Sequence, residues 1–329
     1  MRLPPALPRF HRQLEVAGFA LGHASDLAGK TGVSVILCPD GALAAADLSG
    51  SATGTRQFDS LVSGVHVASK AHALVFAGGS GFGLAAAEPV VAHLARQGKG
   101  FRTPLGPVPI VPTAILFDLG FGGSAWPAHS LAEEAIAAAA VGPVRSGSVG
   151  AGTGATVGKA RGLECAMKGG FGFAALRAKG GAAVAAAVAV NAFGDVRDPA
   201  TGRLLAGCRS GPRSRRMVGA DRVLAALPAD APNPWAGNTT LIAVLTDAAL
   251  DKPGALKVCQ MALGGLHRAV VPALSLFDGD LVVTLASGRV PAHVHQIGML
   301  AQLCVGEAIA TAVREADGFG LLPAVRDLR

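Results

Sequence analysis

The residues with the clearest chemical potential lie where a polar connector meets an apolar strand, in GNTTLIAVLTDA (237–248). A threonine hydroxyl is a poor nucleophile at its own pKa and needs an adjacent base. A threonine that becomes a new chain terminus carries that base itself, because an α-amine of pKa roughly 7.7–8 is partly neutral at physiological pH. The connector, from Arg209 to Asn238, ends in PADAPNPWAGN, which has three prolines and no hydrophobic period. A mobile segment entering a core strand is a place where a strained peptide bond could be attacked by the hydroxyl that follows it, here Thr239 after Asn238. Farther on, FDGD (277–280) sets two carboxylates, Asp278 and Asp280, ahead of another strand. The same residues also read without chemistry. Thr-Thr opens a β-strand, and Asp-Gly makes a hairpin turn.

Other motifs carry less. GFGLAA (81–86) has the GxGxxA form of a dinucleotide fingerprint, but the stretch about twenty residues on, FRTPLGPVP, lacks the acid that reads a ribose. Ser80 in GGSGF resembles a nucleophile elbow, yet Phe82 stands where the second glycine belongs. In GATVGKA (154–160) the first glycine is one residue too close for a phosphate loop, and Ala160 replaces the Ser/Thr. All three read as tight backbone packing around small residues. His293 and His295 share one face of an extended segment or lie on a helix end, without a third ligand. The five cysteines are scattered with no CxxC pair, so neither a disulfide framework nor a structural zinc is expected. The expectation is no cofactor, no metal and a reducing compartment.

These residues need a scaffold, and composition supplies one. Of 329 residues half are hydrophobic and only 16% are charged, with 45 Gly and a mean hydropathy of +0.44. That excludes a disordered chain and a small stapled scaffold. The net charge of +7 is dispersed except for Arg209, Arg213, Arg215 and Arg216 in RSGPRSRR, which reads as a solvated loop. With no Tyr and 5% aromatics there is no stacking platform, so no nucleic-acid partner is expected. The N-terminus MRLPPALPRFHRQLE lacks the apolar region of a signal peptide, and the longest uninterrupted apolar run, Ala182 to Val190, is too short to span a membrane. A soluble cytoplasmic protein without a membrane partner is expected.

Strands are predicted at VSVILC (33–38), AHALVFAG (71–78), VPIVPTAILFDL (108–119), GAAVAAAVAVNAFGDV (181–196), TTLIAVLTDAAL (239–250) and within 277–288. The alanines of 181–196 would also suit a helix. Pro39-Asp40-Gly41 reads as a turn, with ALAAAD as the returning strand of a hairpin. Helices are predicted over 84–97, 129–141, 252–270 and 292–316, the last being the longest.

The chain resembles the aminopeptidase/D-esterase family of self-processing N-terminal-nucleophile hydrolases, whose relatives include β-peptidyl aminopeptidases and nylon-oligomer hydrolases. The segments that carry the resemblance are TGVSVILCPDGALAAADLSGSATGTR, HALVFAGGSGFGLAAAEPVVAHL, VPIVPTAILFDL, GSVGAGTGATVGKARG, AVAVNAFGDVRDPATGRLLAG, GNTTLIAVLTDA and LFDGDLVVTLASG. It implies an α+β fold, a four-layer αββα sandwich in one domain over 1–329, cut into fragments 1–238 and 239–329. Cleavage falls between Asn238 and Thr239, and Thr239 becomes nucleophile and base. Asn191 is implied as an oxyanion donor and Lys159 as a cation favouring the neutral amine. Asp278 and Asp280 are implied to orient the nucleophile and its amine. Serine-type members carry Ser and Glu at that pair and a tyrosine in the oxyanion hole, so this chain sides with the threonine branch and needs another second donor, such as a backbone N–H. The implied substrates are small peptides, amino-acid amides or related linear amides, with nylon (6-aminohexanoate) oligomers or β-peptides as alternatives. Acyl transfer of the ornithine acetyltransferase type is a further alternative. The resemblance also implies a homotetramer, with helix 292–316 offering interface surface.

Overall fold

The computed structural model describes residues 9–230, 237–276 and 278–328. The middle of the proline-rich connector, 231–236, and Phe277 of FDGD lie outside the described residues. Nine strands join one hydrogen-bonded sheet: β1 (Ala20–Asp26), β2 (Thr31–Asp47), β3 (Gly54–Arg56), β4 (Lys70–Ala77), β5 (Thr113–Ile115), β6 (Gly170–Arg177), β7 (Ala183–Asn191), β8 (Thr239–Ala249) and β9 (Leu281–Pro291). Their order is β6-β7-β8-β9-β2-β4-β5-β3, with β1 beside β2. The pairs β8–β9 and β4–β5 are parallel.

One sheet makes two layers because β2 is long and bent. Residues 31–37 pair with β1, and residues 43–47 pair with β9. Between Leu37 and Ala42 the register against β4 shifts, and Gly41 takes φ +81°. Pro39-Asp40-Gly41 is therefore a bulge within a single strand, and ALAAAD continues it instead of returning as a hairpin. Both halves find partners elsewhere in the sheet, and that outweighs the local turn signal. A bulge bends and twists the strand that carries it.

Four helices close the outer faces: α1 (Ala87–Arg96), α2 (His129–Ala137), α3 (Lys252–Ala269) and α4 (Val294–Arg314). Along β7, Val184, Ala186, Val188 and Val190 face α3 and α4, in a core with Val258, Leu266, Val305 and Ile309. The alternate residues Ala183, Ala185, Ala187 and Ala189 point inward, packed with Ile36, Leu74, Phe76, Phe171, Phe173 and Leu241. On the far side α1 and α2 cover Val33, Val35, Ala73 and Val75. The layers run helix, sheet, sheet, helix, which is the αββα sandwich. An alanine-rich segment becomes a strand here because burial on both faces overrides helix propensity.

Several expectations need correction. The region 108–119 yields only the short β5, and Ser80–Ala86 forms a 3-10 turn ahead of α1. The strands β1 and β6 have no counterpart in the reading of the sequence. Arg209 is buried rather than solvated: its guanidinium donates to the carbonyls of Ala166 (3.0 Å), Ser214 (3.0 Å) and Glu164 (2.6 Å), tying its own loop together. Helix α4 is long and apolar enough to cross a membrane, but 72% of its most apolar window is buried in this fold. Its buried apolar residues serve the core against β6, β7 and α3.

Candidate active site

Strand register gathers the candidate residues at one end of the inner layer. Thr239, the first residue of β8, pairs with Asn191, the last of β7. Because β9 runs parallel to β8, the segment that leads into it lies beside the start of β8, and Asn238 bridges to Asp278. The 3-10 turn and strand of GAGTGATVGK bring Thr156 and Lys159 to the same place.

Thr239 is buried, and its hydroxyl donates to the carbonyl oxygen of Asn238, the residue before it. The backbone N–H of Gly279 donates to that same oxygen at 3.1 Å. A Cβ placed on Gly279 would fall 2.7 Å from Thr239 Oγ1 and 2.6 Å from the Ala52 carbonyl oxygen, so only glycine permits this approach. The carbonyl of Asn238 is thus held between the hydroxyl that could attack it and a donor that could stabilise the resulting oxyanion.

Lys159 is 2% exposed, and its ammonium donates to Asn191 O (2.9 Å), Asn191 Oδ1 (3.0 Å), Gly237 O (3.1 Å) and Asn238 Oδ1 (3.0 Å). Burial pushes its pKa down to about 7, against the opposing pull of Asp278, Asp280 and Asp118. Asn191 is fully buried. Its Oδ1 accepts from Thr156 N–H (2.9 Å), while Nδ2 donates to Phe117 O (2.9 Å) and Gly237 O (3.2 Å). In the uncut chain its amide therefore holds the carbonyl of Gly237, one residue short of the bond expected to break.

The two aspartates are adjacent to Thr239 but do not bond to it. Asp280 accepts from Thr240 N–H (2.6 Å) and Leu274 N–H (3.1 Å), and Asp278 from Phe193 N–H (3.2 Å) and Ser275 N–H (2.9 Å). Asp280 thus holds the backbone just after the threonine, and Asp278 holds the neighbouring segments at Phe193 and Ser275. Burial, and next the charge of Asp278, push the Asp280 carboxyl up to about 7, and burial also raises Asp278.

Next to Gly237 and Lys159 lies a cavity of about 180 Å³, walled by Phe117, Phe121 and Leu163. A larger hollow of about 600 Å³, at Asp40, His72, Lys99 and Arg102, shares no residue with it. Among the described residues no group of His, Cys, Asp and Glu could hold a metal ion. The glycine turn GGSGFG wraps a buried carboxylate, with Asp118 Oδ1 accepting from Gly79 N–H at 2.6 Å.

The sequence reading missed Gly279 as a donor, since a backbone N–H has no side-chain signature. It also missed Lys168, a fully buried lysine that donates to the carbonyls of Gly152 (3.0 Å), Ala155 (2.6 Å) and Gly169 (3.1 Å) and so braces the loop carrying Thr156. A lysine flanked by Met167 and Gly169 in an apolar stretch was the available signal.

The family model described as Peptidase family S58 matches residues 14–321. An uncharacterized aminopeptidase of Mycobacterium tuberculosis (strain ATCC 25618 / H37Rv) is 35% identical, covering 95% of this chain and 96% of its own. A 6-aminohexanoate-oligomer endohydrolase of Kocuria sp. (strain KY2) is 26% identical, covering 92% and 86%. Among solved structures, a Burkholderia sp. beta-aminopeptidase matches with TM-score 0.66 at 20% identity over 96% of this chain and 90% of that one. The L-aminopeptidase D-Ala-esterase/amidase of Ochrobactrum anthropi, a variant of the Ntn hydrolase fold, matches with TM-score 0.69 at 16% identity over 95% and 89%. The last two are likenesses of fold.

Proposed function

The chain belongs to peptidase family S58 and is an aminopeptidase or amidase of the N-terminal-nucleophile type, and from that premise we propose that it makes its own nucleophile by breaking the bond between Asn238 and Thr239. Thr239 Oγ1 attacks the carbonyl carbon of Asn238, and the charge that develops on the oxygen meets the Gly279 N–H. The C–N bond breaks, the hydroxyl proton ends on the Thr239 nitrogen, and an ester joins Asn238 to the Thr239 oxygen. Water hydrolyses that ester, leaving Asn238 as a carboxylate and Thr239 with a free amine and a free hydroxyl.

In turnover the amine takes the hydroxyl proton as Oγ1 attacks a substrate amide. An acyl ester forms, the leaving amine departs with that proton, and water releases the acid. Once the tail ending in Asn238 withdraws, the Gly237 carbonyl no longer occupies Asn191 Nδ2 and Lys159. Asn191 is then free to donate to the acyl oxygen, a contact worth on the order of 3–4 kcal/mol. Lys159, when protonated, favours the neutral form of the Thr239 amine, while Asp280 holds the Thr240 amide and Asp278 the amides of Phe193 and Ser275.

The observation that carries this reading is the contact of the Thr239 hydroxyl with the Asn238 carbonyl, whose oxygen Gly279 also holds. Intact-mass spectrometry tests it: the wild type should give two fragments split before Thr239, and Thr239→Ala a single chain. Full amidase activity from an uncut wild type overturns it. Small peptides and amino-acid amides are the substrates proposed. The apolar wall of Phe117, Phe121 and Leu163 favours, as a second reading, linear polymethylene amides such as 6-aminohexanoate oligomers. The proposal includes a reducing compartment, which suits five free, buried cysteines, and assembly into a homotetramer, to be checked by light scattering.

A further inference from the structure

The ester formed in self-cleavage and the acyl-enzyme formed in turnover are the same chemical object, an acyl group on Thr239 Oγ1. In the first the acyl residue is Asn238. Its side chain is therefore the occupant that the folded site already holds in the place where a substrate's acyl residue must go. That side chain is buried, and Asn238 Oδ1 accepts from Lys159 Nζ at 3.0 Å. Among the described residues no group accepts from Asn238 Nδ2, whereas Oδ1 is held by Lys159, so the contact made is to the carbonyl oxygen.

Withdrawal of the tail removes two of the four acceptors around Lys159, Gly237 O and Asn238 Oδ1, while Asn191 O and Oδ1 remain. A buried cation that has lost partners is costly until they are replaced. A free amino acid amide has no residue ahead of the acyl group to supply the Gly237 carbonyl. Within such a substrate the acyl side chain is the group placed to restore a contact, in competition with water.

Resting on the proposed function, we infer that the enzyme selects acyl residues with a short side chain ending in a carbonyl or carboxylate oxygen, as in asparaginyl and aspartyl amides, because that oxygen replaces Asn238 Oδ1 on Lys159. An apolar side chain leaves the ammonium short of a partner, and a glutamine-length chain carries its oxygen one methylene past the site.

The test uses processed wild-type protein and a panel of L-amino-acid p-nitroanilides (Asn, Asp, Gln, Leu, Ala) with the 6-aminohexanoyl anilide. The expected result is a kcat/KM for Asn or Asp about tenfold or more above Gln, Leu and the 6-aminohexanoyl compound. The Asn and Asp arms distinguish amide from carboxylate. A parallel test follows self-cleavage by intact mass: Asn238→Ala should cut about tenfold or more slowly than wild type, and Asn238→Asp should restore much of the rate. A protein that cuts itself but hydrolyses the panel without preference, prefers Leu, or hydrolyses none of it overturns this inference and leaves self-processing standing. A protein that never cuts and hydrolyses nothing instead overturns the proposed function beneath it.

Discussion

Between two aspartates whose carboxylates hold backbone amides of Thr240, Leu274, Phe193 and Ser275, it is Gly279 that reaches the atoms of the bond expected to break. Its N–H lies 3.1 Å from the Asn238 oxygen, and its missing side chain leaves room for Thr239 Oγ1. Gly279→Ala keeps the N–H but forces hydroxyl or loop to move, so self-cleavage should slow on the order of 10²-fold, the scale of losing one oxyanion donor. A mass-spectrometric time course on folded variant checks this; a wild-type rate would mean that Gly279 does not approach the reacting atoms. The base belongs to the same scale. An amine must be neutral to accept a proton, so hydrolysis by the cut protein should rise with pH through the α-amine range, roughly 7.7–8. Below that range log kcat/KM should fall with unit slope; a flat acid side down to pH about 5 would show that the Thr239 amine is not the base. Thr239 and the aspartate pair were legible because the chemistry needs those side chains in sequence with a strand start. Asn191 and Lys159 came only through resemblance. The present aim of Asn191, at Gly237, was illegible, since it depends on which carbonyl a strand register brings within reach.

Close approach between elements explains both the small residues and the strands that the sequence concealed. In β6 a Cβ on Gly172 would sit 1.8 Å from the Ala308 carbonyl oxygen of α4, so the helix axis lies as near the sheet as backbone allows. GFGFAALR reads as loop by its glycines, yet each glycine is a seat for a neighbour: Gly170 faces the carbonyls of Ala312 and Gly147 at 2.6 and 2.8 Å from the same notional atom. The alternation of alanine inward and valine outward along β7 is legible once its two-sided burial is known, and ambiguous before. The bulge in β2 hid for the opposite reason, because its turn residues are real but long-range partners on both sides keep the strand continuous, though bent, through them. Gly172→Ala should therefore push α4 away from β6 and destabilise the fold by about 3 kcal/mol, the upper range of overpacking. Urea unfolding of the uncut Thr239→Ala background measures it without interference from cleavage. A change below about 0.5 kcal/mol, typical of surface substitutions, would show that α4 is not seated on that glycine.

Across the whole molecule, cleavage at residue 238 would divide the sequence without dividing the fold. The later fragment contributes β8 and β9, which pair with each other in the middle of the sheet. On one side β8 pairs with β7 from Val184–Thr246 to Asn191–Thr239, and on the other β9 pairs with β2 from Val282–Asp47 to Ala286–Leu43, both partners belonging to the earlier fragment. Helix α4, also from the later fragment, buries its apolar face on β6 and β7, and α3 packs beside it on β2 of the earlier fragment. Separation would break two strand ladders and open the largest core at once, so the fragments should migrate as one particle in native buffer and resolve only in denaturant. The cut does change one thing: unfolding becomes dissociation into two chains. Mass action then makes the unfolding midpoint of processed protein rise with protein concentration, while that of the uncut Thr239→Ala chain stays fixed if its assembly state is the same across the range used. Urea titrations of both proteins over a hundredfold concentration range decide the matter. Fragments that part on dilution alone, without denaturant, would contradict a central pair of strands held from both sides, and a concentration-independent midpoint in fully cut protein would contradict their being separate chains.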